Sequence, residues 1–142
     1  MKLCGVEIKS NEAIICLLED TKGLVTIPDC RARRLTLNQN SAEDLKALQF
    51  AFIKLMEDYQ VDKVVIRERA TKGKFAGGAL GFKIEAALQL AEGVEVELMS
   101  PNAVKEALKK NPLMIRFDET GLKSFQENAF MTAYACLTGA TG

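Results

Sequence analysis

Two acids in this chain stand where an apolar run ends. Residues 63–69 read KVVIRER, in which Val64, Val65 and Ile66 suit a strand covered on both faces and Glu68 follows at its carboxyl end between Arg67 and Arg69. Residues 3–9, LCGVEIK, repeat the arrangement with Glu7. In open sheets the carboxyl edge is where ligands bind, so both carboxylates are placed for chemistry. A third candidate is Glu127, followed by Asn128, in the first half of the closing helix. The chain has no histidine, which excludes Ser-His-Asp and Cys-His mechanisms and histidine-ligated metals. Acid and base work is left to carboxylates, lysines, tyrosines or a hard cation held by oxygen.

These acids must be positioned by a mixed set of elements. Residues 2–9 alternate and begin apolar on both faces, as a central strand would. Residues 13–18 and 24–27 follow after short polar breaks, so three strands joined by tight turns are antiparallel neighbours. Residues 29–40 carry charge without a period and read as a loop or an extension of the third strand. Ser41 caps a helix of about 18 residues whose stripe is Leu45, Leu48, Phe52, Leu55, Met56 and Tyr59. The fourth strand is 61–68, and a basic loop with Gly73, Gly77 and Gly78 fills 69–78. Those glycines match neither GxGxxG nor a Walker sequence.

The remaining elements are a helix over 79–91 ended by Gly93, a half-exposed edge strand over 94–99, and a short helix opened by Ser100 and Pro101. Residues 111–121 are irregular, with Met114, Ile115 and Phe117 expected to pack on their own domain. The last helix spans about 122–137. The expected fold is α/β with a five-stranded mixed sheet in the order 3-2-1-4-5, strands 1–3 antiparallel and helices on both faces. A right-handed crossover would lay the fourth strand beside the first, so that Glu7 and Glu68 emerge about 4.8 Å apart. Two carboxylates that close repel unless a divalent cation lies between them, and oxygen ligands suit Mg²⁺ or Mn²⁺. The last helix could add Glu127 or Asn128; one helical step rotates a side chain by about 100°, and the choice stays open.

Composition bounds the setting. The 142 residues fit one domain, 1–142, and 48% of them are apolar, enough for a packed core. No apolar run reaches about 18 residues, so no membrane span is expected, and no export signal opens the chain. Cys4, Cys16, Cys30 and Cys136 form no CxxC pair and read as reduced, buried thiols in the cytoplasm. Net charge is zero, so no global field gathers polyanions. The cluster of Arg67, Arg69, Lys72 and Lys74 carries weight because it surrounds Glu68.

In GVEIK, VVIRER, MSPNAVKEAL and ENAFMTAYACL the chain resembles the ribonuclease H-like superfamily, and its RuvC resolvase-like branch most of all. It is also similar to a small bacterial family in that superfamily with no assigned function. The resemblance implies hydrolysis of a phosphodiester in structured DNA or RNA by two Mg²⁺ or Mn²⁺ ions, one activating water and the other stabilising the leaving oxygen. By the same resemblance Glu7 would bridge the metals, Glu68 would hold one, and Glu127 or Asn128 would complete the site. Lys9, Arg67, Arg69, Lys72 and Lys74 would contact phosphates, and a homodimer is implied. The chain departs from that pattern in having glutamate where the first acid is aspartate, and Ser124 and Asn128 where the closing helix carries acids. The alternative expectation is a catalytically silent domain of the same fold that binds nucleic acid or a protein partner.

Overall fold

A computed structural model describes residues 1–70 and 78–139. Strand β1 (Lys2–Lys9) turns through Ser10, whose φ of 58° is left-handed, into β2 (Glu12–Thr21). Lys9 faces Glu12 in the antiparallel register, so the turn holds two residues. A second turn at Lys22 and Gly23, pinned by the Gly23 N–H donating to Asp20 Oδ1 at 3.0 Å, leads into β3 (Leu24–Thr26).

The segment read as a loop or an extension of the third strand contains a separate strand, β4 (Arg34–Thr36), which also pairs with β2. Three residues with one inward apolar side chain are too few to announce a strand. Helix α1 (Ala42–Asp58) is capped by Ser41, whose side chain accepts from the Asp44 N–H. Then come β5 (Lys63–Arg67), α2 (Ala79–Gln89), β6 (Glu95–Met99) and α3 (Pro101–Lys110), the last capped by Ser100.

The sheet runs β3-β2-β1-β5-β6, with β4 beside β2, and β5 lies parallel to both β1 and β6. This is the expected order once β4 is counted, and β6 forms the edge. On one face α1 and α2 cover Cys4, Val6, Ile15, Val64 and Ile66 with Phe52, Leu55, Ile84 and Leu88. On the other, α4 (Glu127–Gly139) covers Leu3, Ile14 and Val65 with Phe130, Ala133 and Tyr134. Burial on both faces explains why β5 is a continuous β-branched run.

The closing helix starts later than its apolar spacing suggests. A 3-10 turn at Ser124–Gln126 precedes it, held by the buried Gln126, whose Nε2 donates to the Ile15 carbonyl at 2.8 Å while its Oε1 accepts from the Lys123 N–H at 2.9 Å. Satisfying that amide inside the core outweighs one more turn of helix. Ile115 and Phe117 fold back onto the α4 core, with the Phe117 ring 5.8 Å from that of Phe130, whereas Met114 is 90% exposed. Cys4, Cys16 and Cys136 are buried, and Cys30 is only partly so. Among the described residues no helix is long and apolar enough to cross a membrane.

Candidate functional site at the carboxyl ends of β1 and β5

Parallel pairing sets Glu7 opposite Arg67, so Glu68 leaves β5 one residue beyond the position facing Glu7. The Glu68 N–H donates to the Met99 carbonyl at 2.9 Å, tying this point to the end of β6. Above β1, α4 comes unusually close because Gly5 has no side chain. A Cβ there would lie 2.8 Å from that of Ala133 and run into the Ala129 carbonyl oxygen. This approach sets Asn128 over Glu7, and its Nδ2 donates to Glu7 Oε2 at 2.7 Å. A glycine inside an apolar strand is a sequence sign of close backbone approach, and it was the available clue to this geometry.

Glu7, Glu68, Asn128, Lys9, Arg67 and Arg69 line one cavity of about 520 Å³, which Ser10 and Pro101 help to close. Glu127 is exposed and does not line it. Lys72 and Lys74 lie outside the described residues. Glu68 is exposed and Glu7 half-buried, and neither has an ion-pair partner among the described residues. Lys9 and Arg67 are likewise unpaired there.

Arg69 differs from the other cations. Its guanidinium donates to the Ile8 carbonyl, lies 5.5 Å from the centre of the Phe82 ring, and buries Nε with no partner among the described residues. Its backbone N–H donates to Glu85 Oε2 at 2.9 Å. Arg69, which also lines the cavity, thereby straps the end of β5 to β1 and α2.

Gly81 makes room for this strap, since a Cβ there would lie 2.6 Å from Arg69 Nε. In an exposed helix Gly→Ala stabilises by up to about 1 kcal/mol. Here Gly81→Ala should lose roughly 1 kcal/mol net, because displacing a guanidinium held by a carbonyl costs more than helix propensity returns. In an Arg69→Ala background the same change should become stabilising; a urea-melt double-mutant cycle without that reversal of sign would remove the strap.

The donor set decides what cation the cavity suits. Two carboxylates and one amide, without histidine or thiolate, match a hard divalent ion that keeps several waters. No cluster of three or more histidine, cysteine, aspartate or glutamate residues occurs among the described residues. The lining therefore offers oxygen ligands of the kind one such ion takes, and falls short of the carboxylates that a pair of metals requires.

The fold is ribonuclease H-like, with the sheet order and flanking helices of the RuvC type. The chain is similar to the structure of Thermus thermophilus RuvC at 14% identity, covering 99% of this chain and 96% of that one with a TM-score of 0.75. The same enzyme in complex with Holliday junction substrate gives 15% identity, 99% and 96% coverage and a TM-score of 0.73. Fowlpox virus resolvase with Holliday junction DNA gives 11% identity, full coverage of both chains and a TM-score of 0.60. No curated protein matches the sequence. Residues 1–136 match the family model described as Protein of unknown function (DUF3010), and the chain belongs to that family.

Proposed function

We propose that the chain is a divalent-cation-dependent nuclease acting on structured DNA or RNA, with Glu7, Glu68 and Asn128 as its centre. The observation that carries this reading is that two carboxylates share a cavity without an ion-pair partner among the described residues, although cationic side chains line the same space. Carboxylates that line one cavity without a fixed ion-pair partner offer oxygen ligands to a hard divalent ion. Glu7 and Glu68 would hold Mg²⁺ or Mn²⁺, with the Asn128 amide as a neutral third group. The ion, when bound, supplies charge stabilisation for attack of water on a phosphodiester. Asn128 keeps the Glu7 carboxylate turned toward the cavity, and Lys9 and Arg67 position phosphates on either side of it. Branched DNA is the first substrate to test, because two similar structures contain Holliday junctions. The free cysteines, three of them buried, support a cytoplasmic setting for this reading.

A second reading, a silent domain that binds the same nucleic acid, is favoured by Asn128, which supplies an amide in place of a third charge. Binding and cleavage separate the two. A labelled four-way junction should bind with an affinity that falls with salt, and Arg67→Ala should reduce the slope of log K against log salt by about 1. Incubation with Mn²⁺ should then produce strand scission that Glu68→Gln abolishes. Salt-dependent binding without scission would leave the silent domain, and no binding at low salt would end both readings.

A further inference from the structure

We propose that the groove between β6, α3 and α4 receives one unpaired nucleobase from the strand whose phosphate lies at the Glu7–Glu68 cavity. This rests on the nucleic-acid reading above and adds what kind of structure is recognised. The groove has a volume of about 870 Å³, within the range of small-molecule sites. It adjoins the smaller cavity, since Glu68 lines both, and Ser100 on its wall is followed by Pro101 on the wall of the other. A strand whose phosphate lies at one cavity therefore has its neighbouring base close to the other.

Its lining chemistry suits a base and opposes a phosphate. Leu98, Met99, Ala103 and Ala135 provide apolar surface for the face of a ring. The charged lining groups are Glu68, Glu97 and Glu106 against Lys63 and Lys110, three negative to two positive, which disfavours a phosphodiester within the groove. At the far end Lys63 Nζ lies 3.2 Å from Glu97 Oε2, and the buried Cys136 thiol donates to that same oxygen at 3.4 Å. The Lys63 side chain is 15% exposed and that of Glu97 is 49% exposed, so the carboxylate is fixed on one side and open on the other. An ammonium donor beside a carboxylate acceptor complements a base edge that shows a carbonyl next to an N–H. In a duplex that edge is occupied by its partner, so only an unpaired base can present it.

The test uses the full chain and three labelled DNAs of one sequence: a perfect duplex, the duplex with one bulged thymidine, and the same bulge made abasic. Fluorescence anisotropy should show the thymidine bulge binding about tenfold more tightly than the abasic bulge. Ala103→Trp, which fills the groove from an exposed helix position, and Glu97→Gln, which keeps the shape and alters the edge contact, should each narrow that ratio. Equal affinities for the two bulges, or a ratio that neither variant changes, would overturn the groove proposal while DNA binding through Arg67 stood. Failure of all three DNAs to bind at low salt would overturn this proposal, and only failure of the four-way junction as well would remove the DNA reading on which it rests.

Discussion

Mn²⁺ or Mg²⁺ is expected to raise the melting temperature of the wild-type chain and to leave Glu7→Gln and Glu68→Gln unmoved. A ligand that binds only the folded state at tenfold its dissociation constant adds about 1.4 kcal/mol. For a chain of this length that is a shift of roughly 3–6 °C. The sign without metal is also informative. Glu7 and Glu68 share their cavity with Lys9, Arg67 and Arg69, so removing either charge should change metal-free stability by less than the metal response itself. Asn128→Asp should lower metal-free stability by adding a third charge beside Glu7 and should enlarge the response to metal. Scanning calorimetry over a metal titration reads all four proteins. A wild type that ignores the ion, or a shift that survives both glutamine substitutions, would leave this cavity without its assigned cation.

Gly5→Ala should cost about 3 kcal/mol, the upper part of the range for forcing a methyl group into packed space. That corresponds to a fall in melting temperature of roughly 6–12 °C. Alanine ordinarily outdoes glycine in a strand, so the sign rests on packing alone. The added Cβ meets a backbone carbonyl and the Ala133 methyl, neither of which has a rotamer to escape into. Ala133→Gly should recover only part of the loss, because the Ala129 carbonyl remains in the way. Raising α4 also draws Asn128 from Glu7, so any metal response should weaken beyond what lowered stability explains. An unchanged melting temperature would mean that α4 does not sit on β1 as described.

The contrast between Arg67 and Arg69 shows where sequence reading stopped. Both flank Glu68 in the sequence and both line the cavity, but Arg67 has no ion-pair partner among the described residues whereas Arg69 donates to the Ile8 carbonyl and packs on Phe82 of α2. Nothing local distinguishes them. The difference lies in Gly81, twelve positions later, whose missing side chain provides space for one guanidinium. The same holds for Glu127 and Asn128, where adjacency in sequence becomes exposure for one and a 2.7 Å hydrogen bond for the other.

Apolar periodicity, turn residues and helix caps were enough to specify the order of the elements other than β4, the antiparallel opening, the parallel β5 and the edge position of β6. Those features arise from near neighbours, and each local preference points to the same fold. The placement of both strand-end acids was legible for the same reason, because a strand's end and its pairing partner follow from pattern and crossover hand. Tertiary structure alone decided which arginine is a strap, which residue of α4 reaches Glu7, and that a wide groove adjoins the acids. Each depends on the distance between backbones at Gly5 and Gly81 and on side-chain rotation about a helix axis, and these are set by packing between residues far apart in the chain.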